Sequence, residues 1–358
     1  TELTAHSHNL PFSLSLDPPP LPPMLTPYLG RISAGENLSM EEMAVVMSEV
    51  MAGRCQEQEI ALLLTALKAK GETADEIAGA AEVMRQHMTP IRSTRKGIVD
   101  TCGTGGVGSN IFNVSTAAAL VTAAAGVPVA KHGNRSATSK SGSADVLQAL
   151  GVNINASVET VERCLEKLGI CFCFAPSLHP AMKHVSAVRK QLGTATIFNL
   201  LGPLCNPAGA SYQVLGVGKP ELRDRMAAVL LRLGTERAVV VGGADGMGEV
   251  TITGPTEVRE VVGGTVRNFT WQPVDFGLPV SGKESLLVDG PEASAAIIRE
   301  VLSGKQGPPR DIVLINAAAA MWVAGVDSSP LVCARQAAVA IDSQQAAQLL
   351  ARLAEATK

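Results

Sequence analysis

"DTCGTGGVGSNIFNVST", residues 100–116, sets four glycines within six positions, then small polar residues, then an alanine-rich run. The preceding "GIVDTC" reads as a short buried strand, and Asn113, Ser115 and Thr116 stand where a helix begins. Bare main chain at that point lets amides approach a ligand closely and adopt positive φ, and helix N-terminal N–H groups with hydroxyls make a seat for an anion. A tight capped turn needs one or two glycines; four exceed that need.

Working outward, strands such as "VPVAK", "ICFCFA" and "AVVVGG" alternate with helical patterns such as "ADVLQALG" and "ASVETVERCLEKLG", the signature of an α/β domain. Upstream, Ser39 with Glu42 and Thr73 with Glu76 have capping-box spacing, and Gly53 and Gly71 stand where helices stop, so a small helical domain is expected to about residue 94. The expected fold is α/β: a small N-terminal helical domain plus a larger α/β domain with a central, largely parallel sheet. The domain expectation is a proline-rich extension at 1–23, a helical domain at 24–94 joined by helices from about 177–200, and an α/β domain from 95–176 and 201–358. No repeat of fixed period is present.

Residues 103–108 satisfy GxGxxG, but the next strand ends in Lys131 and His132, where a dinucleotide fold wants a carboxylate for the ribose hydroxyls. No GxxxxGK[ST] is present either. A second polar run, "KHGNRSATSKSGS" (131–143), follows a strand and carries Lys131, Arg135 and Lys140 among hydroxyls, which suits a phosphate and a pyrophosphate.

Composition narrows the classes. At 358 residues, 46% apolar and 18% charged, the chain is an ordinary globular protein, and 3% aromatic content points to close packing of small side chains. A net charge of −3 argues against nucleic acid and membrane-surface partners. The seven cysteines lack metal or disulfide spacing, and no stretch reads as a bilayer span or signal peptide, so the expected setting is the cytoplasm.

"GTGGVGSNIFNVST", "KHGNRSATSKSGSADVLQALGV", "FAPSLHPAMKHVSAVRKQLG" and "TIFNLLGPLCNPAG" resemble, in order and spacing, the motifs of the anthranilate phosphoribosyltransferase family of the nucleoside phosphorylase/phosphoribosyltransferase superfamily. The similarity runs from about residue 24 to the C-terminus. It implies a magnesium-dependent homodimer that transfers the 5-phosphoribosyl group of phosphoribosyl pyrophosphate (PRPP) to the amine of anthranilate, releasing pyrophosphate, in tryptophan biosynthesis. By the same resemblance, Gly103, Gly105, Gly106 and Val107 lie on the turn that holds PRPP. Asn113, Val114, Ser115 and Thr116 continue that site, Ser115 and Glu249 being magnesium ligands. Lys131, His132, Gly133, Asn134, Arg135, Ser136, Ala137, Thr138 and Ser139 match the PRPP loop, and Ser143 matches a further contact. Gly103 and Asn134 border anthranilate, and Arg189 matches the arginine on its carboxylate. No acid or base is assigned.

The chain departs from the family pattern at Val107, where the turn usually carries Asp, at Ile111, where Thr is usual, and at Gly248, which precedes Glu249 in place of an Asp. A pyrimidine nucleoside phosphorylase-like enzyme, which often reads GGVGD in this turn, and a catalytically weak PRPP-binding paralogue are the alternatives that the sequence leaves open.

Overall fold

The computed structural model describes residues 25–105, 110–136 and 142–358; the proline-rich segment 1–23 lies outside them. The chain opens with α1 (Thr26–Ser33), α2 (Met40–Met51), α3 (Glu57–Lys70) and α4 (Ala74–Gln86). Both capping boxes form: Ser39 and Glu42, then Thr73 and Glu76, exchange side-chain and main-chain hydrogen bonds. Glu76 is fully buried at no polar cost, because it also accepts Leu38 N and Lys70 Nζ, at 3.0 and 2.9 Å. Gly53 and Gly71 follow α2 and α3 at φ of 72° and 86°.

The α/β portion then runs β1 (Val99–Gly103), α5 (Val114–Ala124), β2 (Val129–Gly133), α6 (Ser143–Ala149), α7 (Val158–Leu168) and β3 (Ile170–Phe174). Next come α8 (Ala175–Leu178), a 3-10 turn at Pro180–Met182, α9 (Lys183–Leu192) and α10 (Phe198–Leu201); α9 packs on α2 and α3, and α10 on α4. The chain returns through β4 (Tyr212–Gly216), α11 (Pro220–Arg232), β5 (Arg237–Gly243), β6 (Thr256–Val262) and β7 (Thr265–Trp271), and closes with α12 (Pro291–Leu302), α13 (Pro308–Val323), α14 (Pro330–Asp342) and α15 (Gln345–Ala356).

The seven strands lie in the order β3-β2-β1-β4-β5-β6-β7, the first five parallel, β6 antiparallel to β5 and β7 antiparallel to β6. Strands β4, β6 and β7 add to those read from the sequence. β6 and β7 are a hairpin around Gly263 and Gly264, both at positive φ. Alternate residues of the central strands enter opposite cores: Val214, Val239 and Val241 join α5 and α13, whereas Leu215, Ala238 and Val240 join the helical bundle. In the first core α5 packs on α13 through Ala117–Ala119 and Ala317–Ala320, all almost fully buried, so small side chains give close approach where rings are scarce. Among the described residues no helix is long and apolar enough to cross a membrane. The outcome is a helical bundle beside a mixed, mostly parallel sheet, whose β1, β2 and β4 end along one edge.

Candidate active site

At that carboxyl edge Gly103 lies so close to β4 that a Cβ would stand 3.0 Å from Gly216 O, and Gly105 has φ of +65°. Thr104 N donates to Gly216 O at 3.0 Å. Gly106 and Val107, with Gly108 and Ser109, lie outside the described residues. The chain re-enters at Asn110, and Asn110 and Phe112 bond the main chain of Leu286 and Val288. Asn113 is the N-cap of α5: its Oδ1 accepts Thr116 N at 3.0 Å and the Ser115 hydroxyl at 3.3 Å. Such a cap contributes about 1 kcal/mol. Val114 is buried in the core and Thr116 is also buried, so of these three only Ser115 keeps a partly open side chain.

Ser115 meets Lys131. The lysine is 4% exposed, and its Nζ donates to Ser115 Oγ at 3.0 Å and to Thr101 O at 2.5 Å. Two carboxylates compensate its charge electrostatically, Asp100 from behind and Glu249 from the loop after β5. Burial pulls the Lys131 pKa down and both carboxylates push it back. Asp100 does further work: the β1–β2 ladder stops at Val99↔Val129, and Asp100 Oδ1 accepts His132 N where the next ladder bond would be. Its Oδ2 is buried without a hydrogen-bond partner, and burial raises its pKa.

The Glu249 carboxylate makes no hydrogen bond to a described residue. Burial pushes its pKa up to about 7, against the pull of Lys131. Its main chain is fixed next door, because buried Asn316 accepts Val250 N and donates to Val250 O. Asp245 cannot supply a second carboxylate, since it already accepts Thr251 and Thr253 hydroxyls and Met247 N. Gly248 packs on the end of β4, where a Cβ at Gly216 would lie 1.9 Å from Gly248 O and one at Gly248 would lie 3.2 Å from Gly218 N. Among the described residues no three metal-ligating side chains cluster. The donors here are a hydroxyl and one unpaired carboxylate, hard oxygens that suit a magnesium ion completed by ligand oxygens.

The second loop is clamped at its root. Gly133 leaves room for Ser143, whose Oγ would lie 2.1 Å from a Cβ there and donates to Asn134 O. Asp145 Oδ2 accepts both Ser136 N and Gly142 N, closing the two ends of the loop. Arg135 reaches away to Asp145 and Gln148 on α6. Asn134 is exposed at the tip of β2 with its Oδ1 on Arg135 N. Ala137, Thr138, Ser139 and Lys140 lie outside the described residues.

His132 turns its ring the other way, toward the bundle. Its Nδ1 lies 2.9 Å from Gly202 O and its Nε2 3.1 Å from His179 Nε2. The carbonyl requires Nδ1–H, so Nε2 of His132 accepts and His179 donates, both rings neutral. Burial holds their pKa values down at about 3 and about 4. This bridge ties the segment 175–204 to the end of β2. On it, α9 carries Arg189 half-buried, its guanidinium over the Phe198 ring at 5.4 Å with no hydrogen bond or ion pair to a described residue. Met182 is the residue before α9, and Ser186 Oγ donates to its carbonyl.

A cavity of about 300 Å³ lies at the other, amino edge of the sheet, lined among others by Arg85, Gln213 and Glu236, and none of the residues that resembled a substrate site lines it. The sequence reading missed Asp100, Asp145, His179 and Phe198. An acidic residue within the apolar "GIVDTC", with a lysine ending the next strand, is the one legible signal among them.

Comparison with known proteins shows the family. The model of the glycosyl transferase family a/b domain matches residues 95–347, and that of the family's helical bundle domain matches 26–88. The anthranilate phosphoribosyltransferase of Rhodopirellula baltica is 49% identical over 90% of this chain and 94% of its own. The chain belongs to the anthranilate phosphoribosyltransferases of this glycosyl transferase family. Among solved structures of the family, that of Thermus thermophilus superposes with a TM-score of 0.86 at 44% identity, covering 92% of this chain and 98% of that one. The Saccharomyces cerevisiae enzyme in complex with PRPP and Mg superposes at 0.85 with 29% identity, covering 93% and 97%.

Proposed function

We propose that this protein is an active anthranilate phosphoribosyltransferase, which converts PRPP and anthranilate to N-(5-phosphoribosyl)anthranilate and pyrophosphate, a step of tryptophan biosynthesis. The observation that carries the reading is a buried Lys131 bonded to Ser115 at the end of the sheet, together with Arg189, which has no acid partner among the described residues, on the segment that the His179 bridge anchors to His132. The first suits the leaving pyrophosphate and the second suits the acceptor carboxylate.

The amine lone pair forms the bond to ribose C1 as the bond to pyrophosphate breaks, and the electron pair leaves with pyrophosphate. Positive charge develops on the sugar and negative charge on the leaving group, so fixed cations and N–H donors are what the reaction needs. Lys131, the main chain around Gly103 and Gly105, the loop Asn134–Ser139 and Ser143 hold the diphosphate. Arg189 and Asn134 orient anthranilate so that its neutral amine faces C1. The nitrogen sheds its proton after attack, and no side chain is required as base. Ser115 and Glu249 would hold magnesium, which neutralises pyrophosphate charge when bound. The same reading makes the protein a cytoplasmic homodimer, which light scattering of the purified chain tests for assembly.

The decisive assay is loss of anthranilate fluorescence with PRPP and magnesium. Consumption dependent on both is expected; none, with PRPP bound, overturns the proposal.

A further inference from the structure

We infer that Phe198 is a positioning residue for the acceptor: its ring holds the Arg189 guanidinium by its face and leaves the N–H edge free for a carboxylate. The inference rests on Arg189 as the anthranilate-binding arginine. Elsewhere in this chain some buried or half-buried arginines are held by acids, as in Arg237 with Glu260 and Arg310 with Asp342. An acid would fix Arg189 too, but it would occupy the donors that a substrate carboxylate needs.

A ring fixes the cation without using a single N–H. Arg237 shows the contrast, for it also lies over a ring, Trp322 at 3.8 Å, yet its Nε is bonded to Glu260 and its Nη1 to Trp322 O. That arginine is spent on structure; Arg189 is stacked with its donors unspent among the described residues. Phe198 is itself a firm support. It is 5% exposed, α10 packs on α4, and the turn that follows accepts the His132 ring at Gly202 O. The acceptor arginine and the root of the second loop are thus set by one short segment, 198–204.

The test is a double-mutant cycle on steady-state kinetics of the full chain. Phe198→Leu is expected to raise the anthranilate KM about fivefold, with kcat and the PRPP KM within about twofold of wild type, the size of a partly desolvated cation–π contact. Phe198→Tyr, which keeps the ring, is expected to restore the anthranilate KM. In an Arg189→Ala background Phe198→Leu is expected to add almost nothing, because the two residues act as one unit. Phe198→Met gives the same comparison if the leucine variant fails to fold. An equal penalty in both backgrounds, or parallel losses in kcat and both KM values, overturns the inference while leaving the proposed activity standing. A wild-type chain that does not consume anthranilate overturns the activity and this inference with it.

Discussion

Lys131 and Arg189 are both cations withdrawn from water, and they are held in opposite ways. Lys131 sits in the sheet, hydrogen-bonded to Thr101 O and Ser115 Oγ and flanked by Asp100 and Glu249. Arg189 sits on a helix with a ring beneath it and, among the described residues, no acid paired with it. The difference follows from what each must bind. A diphosphate brings several charges and its own metal, so a cation already tied to the fold still attracts it. A benzoate-like acceptor brings one carboxylate, and only a guanidinium with unspent donors grips it at two points.

The largest expected effect breaks the first half of that comparison. Lys131→Ala removes two charge-assisted hydrogen bonds, to Thr101 O and Ser115 Oγ, and should cost about 3–5 kcal/mol. It should lower the melting temperature and reduce kcat/KM for PRPP by a hundredfold or more, roughly the rate equivalent of the smaller figure. Kinetics and thermal unfolding together check it.

Arg189→Ala should do the reverse: about 1.5–3 kcal/mol lost from anthranilate recognition, as for hydrogen bonds to a charged group, with stability unchanged or improved because no protein partner is orphaned. A melting temperature that falls as far as in Lys131→Ala would erase the contrast.

Glu249→Gln sharpens the account of the metal. A carboxyl with a pKa of about 7 must lose its proton to bind a cation, so wild-type affinity for magnesium should strengthen as pH rises from 6 to about 8 and then level off. The glutamine variant should bind more weakly, by about tenfold, and lose that pH dependence, as calorimetric titration of magnesium in the presence of PRPP would show.

The histidine bridge that links the two halves adds a test by pH. Its folded pKa values, about 3 and about 4, lie below the ordinary 6.5 of an unfolded histidine. As pH drops below 6.5 the unfolded chain takes up protons that the folded pair refuses, so this contribution is fully present above about pH 7 and is lost toward pH 4. Denaturation at pH 7.5 and 5 should show a loss that His179→Gln reduces.

Much of the α/β fold was legible because it rests on local chemistry. Ser39 with Glu42 and Thr73 with Glu76 announce helix starts through side chains that reach three residues along the chain, and the glycines of residues 103–108 announce a turn by lacking side chains. Strand β4 was not legible, since "YQVLG" is short and one of its two partners, β1, lies more than a hundred residues away. The site was half legible for the same reason. Lys131 and Ser115 stand in motifs, but the His132 ring and the Arg135 side chain point to His179 and α6, and only packing chooses that direction.

The sequence by itself determined the glycine turn, the helix caps, the strand-helix alternation and the residue types gathered at the site, because each depends on neighbours within a few positions. Tertiary structure alone decided that Asp100 replaces a ladder bond behind Lys131, that Asp245 is consumed by threonines, and that Arg189 rests on Phe198 with no acid partner among the described residues. Those outcomes depend on which segments, distant along the chain, the sheet and bundle press together, and so on burial and charge compensation that no local pattern encodes.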